Sequence, residues 1–364
     1  MVKDCEGVLV MKKCRNALFI IISLYCMTVI GCDKKQETEI STDDIEVGVI
    51  ETKGNKEESR IIFYDNKLNE IGILPLKFAT VGDIFYTPLV LEDDLYIIPQ
   101  GYANKKDEEK VLEINLSDLN IEEYTIEQIA MNGIAVADDY IFTCNNLNGI
   151  SYINRCDINN KSTKTVEISD VYISNLIYEG DTLFAFGTKN PENGITPAFL
   201  YQYDDELRLL GSIDISECGT NQYKAIGYKD YVFFTSLSDS MDNPTNTVGK
   251  FNAATNSLEI IYLEQKHALD LAIYDGCLYV SHYDLVQRAG GGMSVYDLET
   301  KKIENYQFGH GAEQMSIMDE KIYILSDWKI YVYDINDMNP LISMEVDSMD
   351  KEFSYLSGMF TVDN

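Results

Sequence analysis

Basic residues, histidine, tryptophan and long apolar runs are all scarce in this 364-residue chain, and each scarcity removes a class of function. Lysine and arginine number 29 against 60 aspartate and glutamate, a formal net charge of −31. A surface of that sign repels phosphate backbones and anionic headgroups, so no nucleic acid is expected as a partner. It favours cations, basic proteins or neutral ligands. Three histidines and eight cysteines show no metal-site spacing such as C-x₂-C or H-E-x-x-H. There is no G-x-S-x-G elbow, no EF-hand loop and no glycine-rich strand-to-helix phosphate cradle. No sustained 3.6-residue periodicity follows the first thirty residues, which argues against a helical bundle.

The apolar run that does exist lies at the N-terminus. Met11-Lys12-Lys13-Cys14-Arg15 is basic, Ala17 to Ile30 is apolar, and Gly31-Cys32 follows. The run is too short for the ~20 residues of a spanning helix and reads as a signal peptide, translated from Met1 or Met11. Its end, Val29-Ile30-Gly31-Cys32, resembles the lipobox of bacterial lipoproteins. The resemblance implies removal of residues 1–31, acylation of Cys32, and an outward-facing protein anchored to the cell membrane by lipid. Residues 32–45 are polar, contain no aromatic residue, and read as a flexible tether. The mature charge is then near −33, because the leader carries four basic and two acidic side chains. Cys144, Cys156, Cys218 and Cys277 remain, and buried, unpaired thiols are expected.

Residues 46–364 contain a repeat. An apolar segment, an acidic or glycine turn and an aromatic-rich strand begin at Leu89, Ile134, Leu176, Ala225, Leu271 and Met315, at spacings of 45, 42, 49, 46 and 44 residues. The turns, such as Gly180-Asp181 and Asp275-Gly276, are hairpin pairs, and a second hairpin follows each first one. Two hairpins per period make a four-stranded sheet, the blade of a propeller. The ends complete the count. Three strands stand alone near Val47, Arg60 and Glu70, and one stands alone from Tyr355 to Asn364. The spacing therefore predicts an all-β, seven-bladed β-propeller, its ring closed by the C-terminal strand joining the N-terminal three. A pair of β-sandwiches predicts neither the period nor the matched ends.

On this period and hairpin chemistry the chain resembles the bacterial propellers of YVTN-repeat, WD-repeat-like and quinoprotein amine dehydrogenase-like type. It lacks their Tyr-Val-Thr-Asn and Gly-His to Trp-Asp signatures and has one tryptophan, Trp328. The resemblance implies architecture and no particular activity.

Propeller ligands sit at the mouth of the central channel, which directs attention to the loops there. The segment His282 to Gly292 combines a histidine, Arg288 and three glycines. It reads as an anion- or carbohydrate-contacting loop or as a flexible connector. His310, in a glycine-rich loop entering an innermost strand, is expected to face the mouth, with Glu313 as an acid/base companion. Glu313, Asn132, Asn175 and Asp270 are oxygen donors at strand starts. The resemblance to lactonase-like propellers makes them candidate ligands for calcium. Tyr223, with Tyr86, Tyr102 and Tyr283, is a candidate for stacking on a sugar or partner. The primary expectation is a scaffold that binds a protein or carbohydrate ligand. The alternative is a divalent-cation-dependent hydrolase or lyase with its site at the channel mouth.

Overall fold

The computed structural model describes residues 40–83, 88–100 and 107–362. Cys32 and the leader lie outside the described residues, as do Tyr86 and Tyr102. The chain from Ser41 onward forms one compact unit. Thr42–Asp44 make a single 3₁₀ turn and Ile45 is buried, so the ordered domain begins upstream of residue 46. No helix among the described residues is long and apolar enough to cross a membrane.

Seven four-stranded antiparallel sheets make a seven-bladed β-propeller, as the spacing predicts. Six blades are continuous in sequence. In blade 1 the C-terminal strand Ser354–Thr361 lies against Val47–Lys53, followed by Ser59–Tyr64 and Glu70–Leu76. Val47 pairs with Thr361 and Val49 with Met359. The innermost strands of blades 2 to 7 are Leu89–Leu91, Met131–Ala137, Val171–Glu179, Thr220–Tyr228, Ala268–Tyr274 and Gln314–Met318. Each packs beside the next around the axis.

The hairpins close because their turn residues accept positive φ. Gly180 and Asp181 sit at 53° and 58°, and Asp319 and Glu320 at 49° and 59°, the backbone that matches strand twist in two-residue turns. The core lies between sheets rather than inside one. Phe184 and Phe186 of blade 4 meet Phe251 and Phe234 of blade 5, with ring centroids 5.6 and 4.9 Å apart. Such pairs contribute about 0.5–1.5 kcal/mol beyond their buried area. Cys144, Cys156 and Cys218 are buried and unpaired, and Cys277 is half-buried and unpaired. Burial pushes the Cys156 thiol up to about 11 and that of Cys218 up to about 12, leaving both unreactive.

Alternating strand direction puts the second-to-third loops and the blade-to-blade crossings at one end of the ring, the mouth. The described chain starts at the other end. There Glu46 is held by Lys321 Nζ at 2.6 Å, just after the first turn of blade 7.

Candidate functional site

Asn132, Asn175 and Asp270, expected to offer oxygens at the mouth, instead point sideways into the next blade. The cause is a β-bulge. In blades 1, 3, 4, 5 and 6 the innermost strand carries an extra residue near its mouth end, which re-aims the side chains beside it. Asn132 Nδ2 donates to Ile173 O at 3.2 Å and Asn175 Nδ2 to Tyr223 O at 2.7 Å. Asp270 Oδ2 accepts the Met315 N–H at 2.7 Å, and its Oδ1 accepts the Leu271 N–H at 2.9 Å. The same kind of bond closes the other four junctions. Thr235 Oγ1 donates to Leu269 O, Gln314 Oε1 accepts from Met359 N, Ser357 Oγ donates to Val81 O, and Gln100 Nε2 donates to Met131 O. A side chain thus fastens every blade to its successor. Among the described residues no three His, Cys, Asp or Glu side chains gather as a metal site would require.

The segment expected as a long loop from His282 to Gly292 is mostly strand. Cys277–Asp284 and Ala289–Asp297 pair down to Asp284 and Ala289, leaving a four-residue turn. His282 is 3 % exposed, with Nδ1 on Lys266 O at 2.9 Å and Nε2 on Ser294 Oγ at 2.8 Å. Burial lowers it to about 4, so it is neutral at physiological pH and out of a ligand's reach. Gly290 and Gly291 do not form a flexible connector. The Phe308 N–H bonds Gly291 O and the Ala312 N–H bonds Gly290 O, and a Cβ on Gly291 would lie 2.0 Å from His310 O.

His310 also departs from expectation. Its ring is stacked 3.5 Å from Tyr331 and 5.4 Å from Phe308, with Nε2 on Tyr333 Oη and Nδ1 on Gly311 O, both at 2.6 Å. Aromatic packing has drawn it into the groove beside blade 7, and neither partner is Glu313. Tyr223 is buried with Leu269 and Tyr283 beneath the mouth rather than offered to solvent.

Two of the sequence candidates do converge. Arg288 and Glu313 line a mouth cavity of about 550 Å³ with Asp83, Asp327, Trp328 and Tyr355, floored by Leu325 and Leu356. Blade topology delivers them. Arg288, Asp327 and Trp328 come from second-to-third turns, Asp83 and Glu313 from crossings into innermost strands, and Tyr355 from the start of the innermost strand of blade 1. Burial raises the Glu313 carboxyl above its ordinary range, and Arg288 offsets this only in part. Burial and the Asp83 charge push the Tyr355 phenol up to about 12. Arg288 and Asp327 also border a groove of about 330 Å³ that continues past Gly290 to His310. Asp83, Asp327, Trp328 and Tyr355 are not sequence candidates. The lone tryptophan beside a turn aspartate was the available signal for this site. Inside the ring, a channel of about 440 Å³ runs between the innermost strands of blades 2 to 5.

No known family pattern matches the sequence, and no curated protein matches it. Solved structures do. Apo AztD from Citrobacter koseri superposes with a TM-score of 0.54 at 9 % identity, over 87 % of this chain and 98 % of that one. A crystal structure of the same protein gives 0.51 at 10 %, over 88 % and 99 %. Kuenenia stuttgartiensis hydrazine synthase gives 0.52 at 12 %, over 75 % and 92 %. The likeness is one of fold. At such identities it fixes the propeller and leaves function to the residues of this chain.

Proposed function

We propose that this chain is a lipoprotein, anchored through Cys32 at the outer side of the cell membrane, that uses its propeller mouth to bind a ligand. One observation carries the binding reading. The polar residues at the heads of the innermost strands hold the ring together, whereas Asp83, Arg288, Glu313, Asp327, Trp328 and Tyr355 surround open space. Charged groups of both signs beside aromatic walls are what a recognition pocket needs. The anchor reading rests on the basic, apolar and Gly31-Cys32 sequence of the leader. The domain begins at the end of the ring opposite the mouth, so a tether attached there leaves the mouth free.

The chain carries its own reporter, because Trp328 is its one tryptophan and lines the cavity. Full-length protein in detergent is titrated with sets of oligosaccharides and short peptides while Trp328 emission is followed. A saturable emission change, lost in Arg288→Ala, is expected for at least one probe. Binding detected calorimetrically with unchanged emission would move the site away from the mouth. For the anchor, cells fed an alkynyl fatty acid should label the wild type and leave Cys32→Ala unlabelled. Equal labelling would remove it.

A further inference from the structure

We infer that the ligand taken at the mouth is a protein segment carrying a lysine or arginine flanked by apolar residues, an inference that rests on the binding reading above. The first observation concerns where apolar surface is exposed. Among the described residues, Ile129, Tyr172, Ile195, Met241, Val286 and Phe353 stand out to solvent around the mouth end, Val286 at 92 %. Each lies on a crossing, at the start of an innermost strand or in a second-to-third loop. The turns at the opposite end expose Leu91 as their one comparable side chain among the described residues. The other such side chains, among them Leu209 and Leu341, lie on outermost strands. Val286 lines the cavity itself, and apolar side chains on the end of the ring that carries the cavity favour cover by a macromolecule over a small solute.

The second observation is charge in the mouth cavity between blades 6, 7 and 1. The cavity is lined by Asp83, Glu313 and Asp327 together with Arg288, three carboxylates to one guanidinium, and by the aromatic side chains Trp328 and Tyr355. A cation entering there gains ion pairing and cation–π attraction together, the latter about 0.5–2 kcal/mol. A chain of net charge −31 steers basic partners toward itself over longer range. An acidic segment meets repulsion at both distances. A neutral sugar hydrogen-bonds such carboxylates but gains no ion pairing from them, and in the cavity it leaves Phe353 exposed.

A random dodecapeptide phage library selected on immobilised full-length protein tests this. Selected sequences, resynthesised, are measured by Trp328 emission against the wild type, Glu313→Gln, Val286→Ser and, as a control on an outer strand, Leu209→Ser. The expected result is enrichment of Lys or Arg beside apolar residues. Affinity should fall about tenfold or more in Glu313→Gln and Val286→Ser and stay unchanged in Leu209→Ser. It should also weaken as salt screens the pairing. Mouth-binding peptides that are acidic or neutral would overturn the basic partner while leaving the mouth as the site. Selection of no peptide, or of peptides indifferent to both mouth variants, would also overturn it. Saturable oligosaccharide binding that changes Trp328 emission would in that case keep the mouth as the site, for a ligand of another class.

Discussion

His282 and Glu313 are both withdrawn from water, yet the sign of their linkage to pH differs. The folded state holds His282 neutral down to about pH 4, against an ordinary value of 6.5. The unfolded chain takes up that proton first, so stability is full above about pH 6.5 and is lost as pH falls toward 4. Two and a half units correspond to about 3 kcal/mol. Urea unfolding should therefore show His282→Gln losing less stability than the wild type between pH 7 and pH 4.5, by about 2 kcal/mol. An unchanged difference would mean that the ring is open to solvent. For Glu313 the folded value is raised, so its burial opposes folding at neutral pH and relaxes as acid protonates it. Glu313→Gln should melt at the same or a higher temperature than the wild type at pH 7, with the gap closing in acid, while binding at the mouth weakens. A lower melting temperature at pH 7 would make Glu313 structural. That Arg288 and Glu313 both lie at the mouth was legible from their loops, although Glu313 was expected beside His310 rather than in one cavity with Arg288. That Asn132, Asn175 and Asp270 do not was illegible, because sequence shows a polar residue at a strand head but not the bulge that turns it toward the next blade.

The third strand of blade 6, Ala289–Asp297, shows how an element is misread when its neighbour decides its composition. Glycine has poor strand propensity, so Gly290-Gly291-Gly292 reads as loop. The strand needs glycine because the crossing Phe308 to Gly311 runs directly over it, with Phe308 N to Gly291 O at 2.7 Å. Nothing local in the sequence reports that approach. Gly291→Ala places a Cβ 2.0 Å from His310 O, a backbone atom that cannot swing away, and should destabilise by about 2–4 kcal/mol. Gly309→Ala is the matched control. Its Cβ would meet nothing within 4 Å, and the change should stay within about 0.5 kcal/mol. Equal effects in chemical denaturation would show that chain entropy, not contact, sets the cost. The hairpins with acidic turns were legible for the opposite reason. Their positive φ is met by residues inside the turn itself, so composition and conformation coincide.

At the scale of the ring, the fold was legible because the period and the two incomplete ends constrain one another, and pairing of Val47 with Thr361 satisfies both. What holds that closure was not legible, since it depends on a carboxylate three of whose four partners lie about 300 residues away. Glu51, on the first strand, is fully buried. Its Oε1 accepts from Ser348 Oγ at 3.0 Å, Met349 N at 2.8 Å and Ser354 Oγ at 2.6 Å, and its Oε2 from Arg60 Nε at 2.7 Å. Arg60 Nη2 reaches Asp347 O at 2.6 Å. One acid thereby fixes the segment that feeds the last strand into blade 1. Glu51→Ala leaves a half-buried guanidinium without its partner and the Met349 N–H without an acceptor. Such a break should destabilise by about 3–5 kcal/mol. Glu51→Gln retains one acceptor oxygen and should fall between. Because the clasp is local, hydrogen exchange in Glu51→Ala should accelerate first in Ser354–Thr361 and Val47–Lys53, ahead of blades 3 to 6. Uniform acceleration, or a loss below about 0.5 kcal/mol, would mean that strand pairing alone closes the ring and that Glu51 is incidental to it.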